Sequence, residues 1–220
     1  MRYTSRIILD NKLGMLKRQI DRDVTPIVGW ETRQVLYTEP VRFEPIEAAW
    51  SPIGVGGHWV STYDRTRFFR CRTVVPAVFE GRRPYLILDV GGEGLVRVNG
   101  QIVSGIVSYL PGSFLGDRLR TRVVLPESCR AGDEIEIEIE ACLNFLESSY
   151  TVSSEAPDPV VEYTFKRADF AAADEAVESY YFDLLTAVEA MDTFENPLDA
   201  RCSAPTRASL IPLCSGSWTS

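Results

Sequence analysis

The sequence predicts a mainly β protein: an antiparallel β-sandwich or jelly roll with one helix at its N-terminal end and one at its C-terminal end. Three observations carry that reading. About seven short runs rich in aromatic and β-branched residues follow one another between residues 67 and 165, separated by turn residues. One apolar stripe of helical period precedes them and another follows. The 220 residues make about one and a half domains at ~150 residues per domain, enough for one full core and an appendage.

Taken in order, Leu9, Leu13, Leu16 and Ile20 recur at spacings of four, three and four, which predicts a helix over 5–22 within an N-terminal arm of residues 1–32. A helix of this length is marginal alone in water, so its stripe must pack on its own domain or on a second copy. Prolines 40, 45 and 52, the glycines between 54 and 57, and Trp50, Trp59 and Tyr63 predict an irregular wrapping segment with short strands over 33–66. Strands are expected at Arg67–Val75, Tyr85–Val90 (buried on both faces), Leu95–Val98, Gln101–Val103, Leu119–Leu125, Glu134–Ala141 and Val160–Phe165. Asn99-Gly100 is the strongest hairpin signal, because both central residues of a type I′ turn need positive φ. The sandwich is therefore placed at 33–167. Val177, Tyr181, Leu184, Val188 and Met191 then predict a linker helix over 168–197, capped by Asp169 and ended by Asn196-Pro197. Residues 198–220 have no periodicity and read as a disordered tail.

Composition excludes several function classes. No stretch approaches the ~18 apolar residues of a membrane span. The start, MRYTSRIILDNKLGMLKRQ, is charged throughout, unlike a secretory signal. The expectation is a cytoplasmic protein with no membrane partner. Lys+Arg number 23 against 31 Asp+Glu, a net charge of −8 that would repel a phosphate backbone, so no nucleic-acid partner is expected. The five cysteines are scattered with no CxxC and predict free, mostly buried thiols. His58 is the single histidine, which argues against a zinc site or a Ser-His-Asp triad within this chain.

Four features invite chemistry. Glu134, Glu136, Glu138 and Glu140 stand about 7 Å apart along one strand face, within the range of glycosidase carboxylate pairs, yet a row on one strand normally faces water. Gly91-Gly92-Glu93-Gly94 resembles a phosphate loop in composition, but a strand pattern follows it where a helix would have to start. His58 reads as a surface or hydrogen-bonded residue. Trp50, Trp59, Tyr63, Phe68 and Phe69 fit either core packing or sugar contact, and Trp59, Tyr63 and Trp50 are the candidate carbohydrate-binding residues. No catalytic and no metal-ligating residue is expected.

The stretches RFFRCRTVVP and YLILDVGGEGLVRVNGQIVSG resemble the N-terminal, non-catalytic region of glycoside hydrolase family 38 α-mannosidases, in the branch of the yeast vacuolar and many bacterial enzymes. Phe69-Arg70, Val75-Pro76, Gly91–Gly94, Val98–Gly100 and Gly105 carry the match, and VESYYFDLLTAVEAM resembles the helix preceding that family's catalytic barrel. The resemblance implies a galactose-binding-like sandwich, with zinc and an Asp nucleophile in a barrel beyond this region, so no cofactor is expected here. Two departures stand out: Phe68 occupies the expected Trp position, and Ile106-Val107 follows Gly105 where relatives tend to carry an acidic residue.

The function these readings favour is a non-catalytic module with a scaffolding, subunit-assembly or active-site-rim role. The alternatives are a stand-alone carbohydrate-binding module, taking a mannose-type sugar, and a structural protein that forms a homo-oligomer through its helices.

Overall fold

The structure, a computed structural model, describes residues 3–39, 42–61, 65–108, 120–142 and 161–195. In chain order these form α1 (Tyr3–Ile20), β1 (Asp21–Pro26), β2 (Glu31–Glu39), β3 (Arg42–Pro45), β4 (Ser51–Pro52), β5 (His58–Ser61), β6 (Arg65–Val74), a 3-10 turn (Ala77–Phe79), β7 (Tyr85–Asp89), β8 (Glu93–Val98), β9 (Gln101–Val107), β10 (Arg122–Val124), β11 (Glu134–Cys142), β12 (Val161–Thr164), β13 (Arg167–Ala173) and α2 (Glu175–Glu195). They group into two compact units. Ile20–Asp174 holds every strand; the body of α1 and α2 fall in the other.

The strand unit is an antiparallel sandwich. One sheet runs β1-β13-β7-β10, a larger one runs β3-β2-β6-β11-β8-β9 with β4 also on β2, and β12 pairs with β5. Period-two alternation puts Ile135, Ile137, Ile139 and Ala141 of β11 into the interior, all at most 1% exposed. Phe69 and Cys71 of β6 and Val96 and Val98 of β8 join the same core, as do Leu86, Leu88, Phe170 and Ala172 from the smaller sheet. Each such Leu, Ile or Phe removed from water contributes about 1.5–3 kcal/mol. Trp30 meets Phe165 edge-on at 5.4 Å and donates its indole N–H to the Ile27 carbonyl at 3.0 Å. The Asn99-Gly100 hairpin forms as expected, with φ of 51° and 76°. Asn99 Oδ1 also accepts the Glu136 amide at 2.9 Å, tying the turn to β11.

Several boundaries differ from the sequence reading. The arm does not extend to residue 32: α1 ends at Ile20, Asp21–Pro26 is an edge strand on β13, and Ile27 and Trp30 enter the core. Residues 33–66 are far more regular than their prolines suggest, because β2 is a nine-residue strand paired with β6 from Glu31↔Arg70 to Leu36↔Arg65. Residues 167–173 are a strand rather than the start of a helix. Its alanines favour helix locally, but β13 lies between β1 and β7 and gains ladder bonds on both sides, which overrides propensity. Asp169 therefore caps nothing; it pairs across from Ile87 and accepts from Arg167 Nε at 2.6 Å. The second helix begins at Glu175, with Glu175 and Glu178 in a first turn that favours negative charge. Strand β10 covers only Arg122–Val124, preceded by a single bridge of Arg120 to Val107.

In the helical unit Leu13 and Val188 are buried at the centre of their stripes. Among the described residues no helix is long and apolar enough to cross a membrane. The tail 198–220 lies outside the described residues.

Candidate functional site

The glycine turn at Gly91–Gly94 is built by contacts that leave no room for side chains. Gly91 has φ +88°, and a Cβ there would stand 2.7 Å from the Thr164 carbonyl oxygen. Its amide donates to Asp89 Oδ1 at 2.9 Å. The Gly92 carbonyl accepts both the Ser108 hydroxyl at 2.8 Å and the Ser108 amide at 3.1 Å. A Cβ on Gly92 would meet the Trp59 ring at 3.7 Å, and one on Gly94 would meet Ile139 Cγ2 at 2.9 Å. The turn opens into β8 and not a helix, so it carries no phosphate-binding helix terminus.

Beside this turn lies an open cleft of about 340 Å³. Gly94, Gly105 and Ile106 line it, Leu95 and Val107 flank them, and Glu93, Glu140 and Cys142 supply its polar groups. The register that pairs Cys142 with Glu93 and Glu140 with Leu95 brings these residues together. Glu140 is fixed from two sides: Arg97 Nη1 donates to it at 2.9 Å, and the Tyr37 hydroxyl donates to its other oxygen. Burial, and then the Glu140 carboxylate, hold the Tyr37 phenol well above its ordinary value. Desolvation of the Cys142 sulfur, ahead of the charges of Glu93 and Glu140, likewise pushes that thiol up. The cleft thus offers the carboxylate acceptors of Glu93 and Glu140 beside apolar side chains. Ile106 and Val107 give it an apolar wall.

The glutamate row of β11 does not simply face water. Glu136 pairs with Arg72 at 3.2 Å and Glu140 with Arg97, in a lattice of alternating charge that includes Arg70–Glu31 at 2.8 Å. Such half-exposed pairs are worth at most ~1 kcal/mol each.

The three candidate sugar-binding residues fare differently. Trp59 is only 3% exposed and belongs to the core: its ring stacks on Tyr163 at 4.7 Å, meets Phe69 edge-on at 5.5 Å, and donates its N–H to the Val90 carbonyl at 2.7 Å. That is a correction, since the ring has no face left for a ligand. Trp50 is half-buried on the outer side of the larger sheet, with the guanidinium carbons of Arg70 and Arg33 at 4.0 and 4.6 Å from its ring centre. Tyr63 lies outside the described residues. Exposed His58 has Nδ1 3.5 Å from Glu162. Among the described residues no group of three or more His, Cys, Asp or Glu stands close enough to hold a metal ion. Cys71 and Cys129 are free and buried, and Cys142 is free and exposed.

Sequence reasoning missed Tyr37, Arg97 and Cys142 as neighbours of Glu93 and Glu140. No spacing signals them: the β8–β11 register brings Arg97 and Cys142 there, and Tyr37 reaches Glu140 from β2 through its hydroxyl.

Comparison with known proteins places this architecture. The family described as "Alpha-mannosidase, jelly roll domain" matches residues 24–171, which is the sandwich itself. The chain belongs to that family. Mouse alpha-mannosidase 2C1 is 29% identical over 142 residues, covering 63% of this chain and 13% of that protein. The chain thus spans only a small part of the length of this relative. Among solved structures, a putative beta-galactosidase from Bacteroides fragilis aligns with TM-score 0.44 at 18% identity, covering 69% of this chain and 23% of that one. An FMN-binding beta-glucuronidase from Facaelibacterium prausnitzii L2-6 aligns with TM-score 0.43 at 16% identity, covering 68% and 22%. The matched residues span nearly all of the strands, and the helices α1 and α2 lie outside them.

Proposed function

We propose that this jelly roll chain is a non-catalytic module of an α-mannosidase-like protein, acting in the cytoplasm by scaffolding and subunit assembly and by walling the rim of a carbohydrate-processing site. The observation that carries the assembly role is the apolar surface left open on the two helices. The sandwich closes its core, although it too leaves single apolar side chains exposed, Val28, Val55 and Ile102 among them. The helices leave large apolar side chains exposed: Ile7, Ile8 and Met15 on α1, and Tyr180, Phe182 and Met191 on α2. Ile8 and Met15 are two turns apart on one face, and Tyr180 and Met191 are three turns apart on another. Exposed apolar stripes of this kind suit a protein partner. The cleft beside the glycine turn, with Glu93 and Glu140 above an apolar floor, supports the rim role, since carboxylates accept hydrogen bonds from sugar hydroxyls.

Sedimentation tests the assembly role. The parent chain is expected above one-chain mass at micromolar concentration, and Met15→Asp with Met191→Asp to return it to one chain without lowering the melting temperature of the sandwich. A one-chain mass for the parent removes this role. Zinc-dependent hydrolysis of an aryl α-mannoside by the pure protein would refute the non-catalytic reading.

A second reading, a carbohydrate-binding module, is favoured by the half-exposed Trp50 between Arg33 and Arg70. It expects saturable mannoside binding that weakens in Trp50→Ala, and unchanged titration in a folded variant rejects it.

A further inference from the structure

Resting on the assembly role above, we propose that the partner is a second copy of this chain, with α1 of each copy laid along α2 of the other in a closed two-fold pair. The two helices carry opposite charge. Over Tyr3–Ile20, Arg6, Lys12, Lys17 and Arg18 stand against Asp10 alone, a net charge of +3. Over residues 175–191, Glu175, Glu178, Asp183 and Glu189 meet no Lys or Arg, a net charge of −4.

The charge sits inside the exposed apolar stripes. Ile8, Lys12 and Met15 follow at four and three residues, so Lys12 lies between two apolar side chains on one face of α1. Tyr180, Asp183, Ala187 and Met191 follow at three, four and four, which gives Asp183 the same setting on α2. The body of α1 and α2 belong to one compact unit, yet Ile8, Met15, Tyr180 and Met191 remain 41–59% exposed, so packing within the chain leaves these faces open. Lys12, Arg18, Glu175 and Asp183 are exposed and make no ion pair or hydrogen bond among the described residues. Charges at helix ends answer the helix dipole, which reaches about one turn. Lys12 and Asp183 lie more than a turn from either end of their helices, so the dipole does not account for them.

Sign decides which surface covers which. Laying α1 on α1 of another copy sets like charge against like, and so does α2 on α2, which disfavours both pairings. Laying α1 on α2 brings Lys12 to an acidic face and Asp183 to a basic one, and it covers Ile8, Met15, Tyr180 and Met191. Because one chain carries both complements, a two-fold axis makes the contact twice and leaves neither stripe open. An unrelated acidic or basic protein would cover only one of the two. In such a pair the apolar side chains supply affinity, and the charges select the partner and its orientation.

The test is a charge exchange in the full chain, read by sedimentation equilibrium at micromolar concentration. One variant carries Lys12→Glu with Arg18→Glu, the other Glu175→Lys with Asp183→Lys. The parent is expected at the mass of two chains. Each variant by itself places like charges at both contacts and should associate at least ~10-fold more weakly. An equimolar mixture of the two should recover two-chain mass as mixed pairs, identified by native mass spectrometry with one variant isotope-labelled. The single mid-helix changes Lys12→Glu and Asp183→Lys repeat the exchange where a double variant loses helical circular dichroism, with an expected weakening of ~3-fold each. A one-chain mass for the parent removes the assembly role and this inference together. Variants that associate as tightly as an assembling parent overturn the inference and leave the assembly role standing. A mixture that stays at one-chain mass, or a parent that grows beyond two chains, overturns it in the same way.

Discussion

Gly91 and Gly100 both have positive φ, but only one is crowded, and that difference yields a quantitative test of how the glycine turn is held. An alanine at Gly100, φ +76°, meets no atom within 4 Å. Gly100→Ala should therefore cost only the left-handed penalty, about 1–2 kcal/mol. An alanine at Gly91, φ +88°, bears the same penalty and also places Cβ 2.7 Å from the Thr164 carbonyl oxygen and 3.3 Å from Tyr163 Cβ. The oxygen is backbone, set by the adjoining β12–β5 pairing, and cannot swing aside like a flexible side-chain end. Overpacking of this kind costs about 1–3 kcal/mol more. Gly91→Ala should thus lose about 2–5 kcal/mol. Equilibrium urea unfolding followed by tryptophan fluorescence reads both losses. Equal losses in the two variants, within ~0.5 kcal/mol, would refute the close approach of β12 to the turn.

Two further outcomes follow from named contacts. Trp59→Ala should destabilise by about 3–5 kcal/mol, because it empties a core position and removes the donor to the Val90 carbonyl. Trp50→Ala should lose only about 1–2 kcal/mol, the worth of two guanidinium contacts at a half-exposed ring; thermal melts that reverse this order contradict the burial of Trp59. Burial pushes the Cys71 thiol from its ordinary 9.0 to about 11, so the folded state holds a proton that the unfolded state releases first. The stability from the neutral thiol is fully present below pH 9 and is lost as pH rises through about 11. Cys71→Ala should flatten that decline in the pH dependence of unfolding, and an unchanged slope would mean that Cys71 is not desolvated.

Much of the sandwich was legible because its signals are local. The alternation of Glu134–Ala141 and the Asn99-Gly100 turn each contain their own geometry, and both form as read. Strand β13 was not legible, since Ala168, Ala171 and Ala172 point to helix until β1 and β7 are present on either side to pair with it. Strand β2 was hidden for a related reason: its partner β6 lies beyond a proline- and glycine-rich stretch. The polar groups of the cleft were illegible in principle. Cys142 and Glu93 are far apart in the chain, and nothing but pairing register joins them. Trp59 shows the limit of composition: an aromatic cluster has the same spelling whether it lines a core or a ligand site, and only the position of Val90 and Tyr163 separates the two.

The indole of Trp59 is more than ballast. It is pinned to Val90 on one side, stacked on Tyr163 of β12, and pressed beneath Gly92 at the head of the turn. The small β5–β12 pair therefore acts as a shim under the neighbouring glycine loop: changing its thickness would tilt the loop and alter the spacing of Glu93 from Glu140. Substitutions that tune the cleft need not touch its lining at all; they can sit on the far side of a tryptophan.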